Sequence, residues 1–155
     1  METKTRILMV CLGNICRSPL AEALLRKKVD SKKIEVDSAG LDHWHVGEAP
    51  CPSSREIALA HGLNISHLRA RQFQIDDFEK FDKIYIMDNY NWEIINKKAR
   101  NENDIKKVNF ILNEIYPNEN LDVPDSYQKG KSAAELVYKM LDQATDKIAQ
   151  KYTNE

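Results

Sequence analysis

With 23 lysines and arginines against 24 aspartates and glutamates, the 155-residue chain carries a formal net charge of -1, which gives no support for a nucleic-acid partner. Its 42% hydrophobic and 30% charged residues describe an ordinary soluble globular protein of one domain, residues 1–155, with no apolar run long enough to span a membrane. The 3 cysteines form no disulfide framework, which fits a reducing cytoplasm.

The N-terminus, Met1 to Arg6, leads directly into a short apolar run and shows no signal-peptide pattern. Ile7-Leu8-Met9-Val10 predicts a buried strand, and Leu20 to Arg26 predicts a helix. Between them stands Cys11-Leu12-Gly13-Asn14-Ile15-Cys16-Arg17-Ser18-Pro19. Pro19 suits a first helical position and Ser18 the cap before it. In such a strand–loop–helix turn the backbone N–H groups converge, and together with a helix N-terminus they favour an anion. Cys11 opens the loop and Arg17 closes it. A cysteine among amides and beside an arginine has its thiolate favoured. The planar guanidinium of Arg17 matches two oxygens of a phosphoryl group. Cys-x5-Arg says little as a spacing, but Gly13, Asn14, the Ser18-Pro19 pair, the strand and the helix all agree with it.

Val10 to Pro19 resembles, residue for residue, the active-site loop of the low-molecular-weight protein tyrosine phosphatases, and the resemblance continues to near the C-terminus. It implies a phosphotyrosine phosphatase I-like fold. The amides of Leu12, Gly13, Asn14, Ile15, Cys16 and Ser18 would then hold the phosphoryl group that Cys11 attacks.

Ile34 to Ser38 alternates and stops at Ala39-Gly40, a second strand and a turn. Strand, helix and strand in this order predict a right-handed parallel unit whose ligand lies beyond the carboxyl ends of the strands. Leu41 to Pro52 reads as loop. His43, His45 and Cys51 match no common zinc spacing, so no metal is expected there. Trp44 either packs this loop or walls a slot for an aromatic ring, and the resemblance favours the wall. Ser53 or Ser54 is expected to cap a helix through His61, ended by Gly62. Ser66 to Gln72 is similar to a Ser-His-x-x-Arg-Gln segment of the family. There the histidine matching His67 bonds with the residues matching Asn14, Ser18 and Ser38 and braces the loop, although a lone histidine is more often only structural.

Asp76 to Phe81 reads as a short helix and Lys83 to Met87 as a third strand. Asp88-Asn89-Tyr90-Asn91 is expected to cap a helix through Asn96, in a Met-Asp-x-x-Asn pattern similar to the family's. Lys107 to Leu112 is the fourth strand, and Asn113 to Leu121 a polar loop. Asp122-Val123-Pro124-Asp125-Ser126-Tyr127 follows. Asp125 is one carboxylate among many, but expulsion of a phenolate needs an acid. The resemblance singles it out, because family members carry Asp-Pro-Tyr or Asp-Pro-Phe here. Ser126 replaces that proline, and Tyr127 becomes the opposite wall of the slot. Ser132-x-x-Glu135 resembles a capping box for a long final helix. Its core stripe is Ala134, Val137, Met140, Leu141, Ala144, Ile148 and Tyr152.

Four strands alternating with helices predict an α/β, doubly wound three-layer sandwich with a four-stranded parallel sheet. The expected chemistry is phosphoester hydrolysis through a phosphocysteine. Cys11 is the nucleophile, Arg17 and the loop amides stabilise charge, and Asp125 is first acid and then base, with no metal or cofactor. Substrates would be phosphotyrosine proteins or small aryl phosphates, with inorganic phosphate as product. The expected setting is cytoplasmic, as a monomer or a weakly self-associating species, with no membrane or nucleic acid bound. Cys16 is either a small apolar core residue or, as the resemblance implies, a redox partner that traps oxidised Cys11 as a disulfide. An arsenate reductase of the same fold is the alternative enzyme, but it would need more resolving cysteines than Cys51 alone. A non-catalytic phosphate-binding module would leave Cys11, Arg17 and Asp125 together unexplained.

Overall fold

A computed structural model describes residues 4–154; the reading of Met1 to Thr3 lies outside the described residues. Strand β1 (Thr5–Cys11) is the apolar run seen in the sequence, and from Ile7 to Cys11 every residue is buried. Continuous burial of this kind belongs to a central parallel strand covered on both faces. β2 (Ile34–Gly40) lies on one side of it, and β3 (Lys83–Ile86) then β4 (Val108–Phe110) on the other, in the order β2-β1-β3-β4. All three pairings are parallel.

Alternation along β1 divides the core in two. Ile7, Met9 and Cys11 face helices α1 (Ser18–Arg26), α2 (Pro52–Ala60) and α6 (Lys131–Thr153), through Leu20, Leu24, Ile57, Val137 and Leu141. Leu8 and Val10 face Phe73, Phe78, Phe81 and Ile95. These come from the segment around the short α3 (Asp77–Lys80) and from α4 (Asn89–Lys98). The three layers are therefore those expected. After β1 the chain first adds β2 on one side and later β3 on the other. Cys11, at the carboxyl end of β1, stands where an open parallel sheet leaves a crevice.

The expected cap for α1 is absent. Arg17 occupies the cap position and its side chain makes no capping bond, and the Ser18 hydroxyl is turned to the Cys11 sulfur. α2 begins at Pro52 behind Cys51, so neither Ser53 nor Ser54 caps it. α6 begins at Lys131 behind Gly130, whose φ of 91° is the left-handed region that glycine takes without strain. Ser132 thus lies inside the helix and forms no capping box. In the final helix the buried stripe adds Tyr138, Thr145 and Ala149, while Met140 only edges the core. Strand four is shorter than expected, since the chain tightens into a 3-10 turn at Ile111–Glu114. A helix absent from the sequence reading, α5 (Glu102–Lys106), is capped by Asn101, whose side chain accepts from the Asp104 N–H. Among the described residues no helix is long and apolar enough to cross a membrane.

Candidate active site

The loop after β1 closes on its own first residue. The Asn14 N–H points at Cys11 Sγ from 3.3 Å, and the Ser18 Oγ lies 3.0 Å from the same sulfur. Asn14 adopts a φ of 58°, a left-handed conformation that asparagine tolerates better than most residues. Its side chain repays that strain with three bonds. Nδ2 donates to Ser18 Oγ at 2.7 Å and to Ser38 Oγ at 2.9 Å, and Oδ1 accepts the Arg71 N–H at 3.0 Å. Ser38 donates in turn to Glu22 Oε1 at 2.5 Å. With Asn14 donating to Ser18, the Ser18 proton is left for the sulfur, and a Cys11 thiolate leaves the hydroxyl as the only donor. Burial raises the Glu22 carboxyl above its ordinary value, against the lowering effects of the Ser38 bond and of Arg26.

Sheet and loop also touch directly. The Leu41 N–H donates to Cys11 O at 3.0 Å, and Asp42 N–H to Leu12 O at 2.9 Å. A Cβ at Gly40 would sit 2.9 Å from the Gly13 carbonyl carbon and 3.0 Å from Asn14. Gly40, read from the sequence as a turn residue, is thus the last residue of β2, and only glycine lets the phosphate loop lie against it.

Arg17 is 3% exposed and donates from Nη1 to Asp88 Oδ2 at 2.5 Å and to Val123 O at 2.9 Å. Burial works against a charged guanidinium. Cys11, Asp88 and Asp125 outweigh it, so Arg17 holds its proton more firmly than an ordinary arginine. Asp88 serves twice, since its Oδ1 also accepts the Asn91 N–H at the start of α4. Val123 ties the acid loop into the same knot, its own N–H donating to Met87 O at 2.7 Å.

A cavity of about 210 Å³ opens over this loop. Cys11, Leu12, Gly13, Ile15, Cys16 and Arg17 form its floor, and Trp44, Asp125 and Tyr127 stand around its mouth. The structure therefore brings together nine of the residues expected from the sequence: the six of the floor and the three of the mouth. Asn14, Ser18 and Ser38 stand behind the floor, as the bonds above show. Trp44 is 74% exposed and Tyr127 40%, so both rings are open to a ligand. Two cavity residues were not anticipated, Asp42 and His45. The His45 ring meets Tyr127 edge to face at 5.8 Å and its Nδ1 lies 3.1 Å from Glu48. His43, His45 and Cys51 do not gather into a metal-holding group among the described residues.

Two expectations need correction. His67 does not brace the loop: it lies with Glu22, Arg26 and Leu63 around a different cavity. Glu22 and the Arg71 backbone take the positions expected of it. Cys16, expected as a small core residue or a thiol partner of Cys11, is buried but is not a free thiol. Its sulfur is bonded to Cys51, and Cys11 is the free cysteine. The disulfide weighed from the sequence is Cys11–Cys16; that reading does not include Cys51, 35 residues from Cys16, as a partner.

The family profile described as low molecular weight phosphotyrosine protein phosphatase matches residues 6–155. A low molecular weight phosphotyrosine protein phosphatase of Sus scrofa is 37% identical over 136 residues, 85% of each chain. The crystal structure of YfkJ from Bacillus subtilis superposes with a TM-score of 0.87 at 32% identity, covering 98% of this chain and 96% of that one. That of a protein tyrosine phosphatase from Entamoeba histolytica gives a TM-score of 0.89 at 28% identity, covering 97% and 98%. A matched profile over nearly the whole chain, with a cysteine cradle at the crevice of a parallel sheet, leaves one conclusion: the chain belongs to the low molecular weight phosphotyrosine protein phosphatase family.

Proposed function

We propose that the chain hydrolyses phosphotyrosine in proteins, and small aryl phosphates, by two successive displacements at phosphorus. The observation that carries this is Cys11 Sγ held by the Ser18 hydroxyl and the Asn14 amide at the floor of a cavity whose mouth carries Asp125 and two aromatic rings. The phenyl ring enters between Trp44 and Tyr127, which puts the phosphoryl group on the loop. Its oxygens take the amides of Leu12, Gly13, Asn14, Ile15, Cys16 and Ser18 together with Arg17, and a loop already closed on Cys11, as the Asn14 N–H shows, lowers the reorganisation this requires. Cys11 attacks phosphorus while Asp125 gives its proton to the departing phenol. A water then attacks the phosphocysteine, Asp125 takes its proton, and the Cys11 thiolate leaves with the Ser18 hydroxyl donating to it. Inorganic phosphate is the last product.

Asp125 suits this alternation by position. It is exposed, and its carboxylate accepts the Tyr127 N–H at 3.0 Å, which turns the loop back over the cavity. The same reading takes residues 1–155 as one domain, monomeric or weakly self-associating. A free reactive thiol keeps best in a reducing compartment, so we place the chain in the cytoplasm. The test is hydrolysis of para-nitrophenyl phosphate and of a phosphotyrosine peptide. Wild type turns both over, whereas Cys11→Ser turns over neither and still binds vanadate. Hydrolysis by the serine variant at the wild-type rate would refute the proposal.

A further inference from the structure

The three cysteines divide in a way the proposed hydrolysis does not use. Cys11 is free and Cys16 is bonded to Cys51, yet Cys11 and Cys16 line the same cavity within one curled loop. Ile15, Cys16, Cys51 and Ala70 form a small buried cluster of their own beside the site. Two hydrogen bonds dock α2 on the phosphate loop independently of the sulfurs. The Cys51 N–H donates to Ile15 O at 2.7 Å, and the Ser54 hydroxyl to Cys16 O at 2.9 Å. Reduction of the bond therefore leaves Cys51 seated beside Cys16. Cys51 also precedes the first turn of α2, with the hydroxyls of Ser54 and Ser53 at 3.2 and 3.5 Å from its sulfur.

We propose that Cys16 and Cys51 form a resolving pair that returns Cys11 to its thiolate after oxidation by a peroxide. This rests on Cys11 being the reactive thiol. Starting from the fully reduced chain, the Cys11 thiolate attacks one oxygen of hydrogen peroxide. It becomes a sulfenic acid, and the other oxygen leaves as hydroxide, which takes a proton to become water. The Cys16 thiolate attacks Cys11 Sγ and displaces the second hydroxide, also released as water, so that a Cys11–Cys16 disulfide forms. The Cys51 thiolate then attacks Cys16 Sγ, the Cys11 thiolate leaves, and a Cys16–Cys51 disulfide forms. Two thiols have lost two electrons in all, and peroxide has gained them. The end state is the arrangement seen here: Cys11 free and Cys16 bonded to Cys51. An external dithiol resets the pair. One oxidation per reset is tolerated, because once Cys16 is engaged a second sulfenic acid has no thiol to meet, and a further molecule of peroxide takes it to sulfinic acid and is itself reduced to water.

The experiment compares the wild-type chain pre-reduced with dithiothreitol and freed of it, the same chain carrying the Cys16–Cys51 disulfide, and pre-reduced Cys51→Ser. Each receives equimolar hydrogen peroxide without added thiol. Peptide mass mapping then follows the sulfurs and para-nitrophenyl phosphate hydrolysis follows activity. The pre-reduced wild type should keep its activity and gain the Cys16–Cys51 peptide. Cys51→Ser should stop at Cys11–Cys16 and lose activity roughly tenfold or more until dithiothreitol restores it. The pre-oxidised wild type should also lose activity, but with no Cys11–Cys16 disulfide: Cys11 becomes sulfenic acid, which dithiothreitol reverses, or in at most half of the chains sulfinic acid, which it does not. A pre-reduced wild type that stops at Cys11–Cys16, or that fares no better than the pre-oxidised chain, would overturn the proposal. That comparison needs no variant. If the chain hydrolyses no aryl phosphate, the phosphatase reading fails, while the disulfide map still decides the relay.

Discussion

Two loops meet over the cavity, and they are built in opposite ways. From Cys11 to Arg17 the phosphate loop is buried or half-buried throughout and is tied to α1, β2, α2, the Asp88 cap of α4 and the Arg71 segment by side-chain bonds. Past its anchor at Val123, the acid loop is mostly exposed, and a bond from the Tyr127 N–H to Asp125 shapes its tip. Its one buried side chain after Val123, Ser126, carries a hydroxyl with no hydrogen-bond partner among the described residues. The contrast follows from the work proposed for each. A cradle for charge that develops in the transition state gains from groups that need not move. An acid that acts in both displacements must first admit a leaving group and then a water, and a looser loop serves that.

Substitutions should separate the two loops. Asp125→Asn should slow aryl phosphates with poor leaving groups by ~10²–10⁴-fold and those with good ones far less. A uniform loss across a leaving-group series would remove Asp125 from the acid's role. At the mouth, Trp44→Ala and Tyr127→Ala should each raise KM for phosphotyrosine peptides, by ~0.5–1.5 kcal/mol beyond lost contact area. Unchanged preference for aryl over alkyl phosphates in both variants would place the rings outside the slot.

On the rigid side, Glu22→Gln tests the buried end of the bracing chain. Because burial raises the Glu22 carboxyl in the fold, its stabilising effect is complete at low pH and is lost as pH rises through the folded value. Wild type should therefore lose stability over that window and the glutamine variant should not. The gap in melting temperature should be a few degrees above the window and should narrow below it; a gap that does not change with pH would contradict this. The smallest effect is expected at Ser126→Pro. It removes a buried unsatisfied hydroxyl and restricts the unfolded chain, which should stabilise by ~0.4–1 kcal/mol and modestly speed poor leaving groups. A less stable variant with weaker acid catalysis would show that the loop is adapted to serine.

The rigid loop was the more legible of the two because most of its information is local. Cys11, Gly13, Arg17 and Pro19 lie within one strand–loop–helix turn, and β1 announces itself by an unbroken apolar run. What braces the loop was harder to read. Asn14 meets Ser38 across 24 residues and Arg71 across 57, and Arg17 meets Asp88 across 71. No periodicity encodes such pairs. The Ser66–Gln72 segment does reach the loop, but through the Arg71 backbone and not through the His67 ring, a difference that composition cannot show. Gly40 looked like a turn because glycine usually is one. Its reason is a close approach between two backbones, visible only when both are placed. The caps at Ser18 and Ser132 failed for different reasons: the Ser18 hydroxyl lies on the Cys11 sulfur, and Ser132 falls inside a helix that starts at Lys131.

The most direct test of the account is rapid-quench trapping of the enzyme during turnover of a 32P-labelled phosphotyrosine peptide, followed by mapping of the labelled residue. The account predicts alkali-stable, acid-labile label on the peptide that contains Cys11, formed at near-wild-type rate with a good leaving group in Asp125→Asn and not formed in Cys11→Ser. Label on any other residue, or steady turnover with no labelled enzyme when hydrolysis of the intermediate is made rate-limiting, would contradict it.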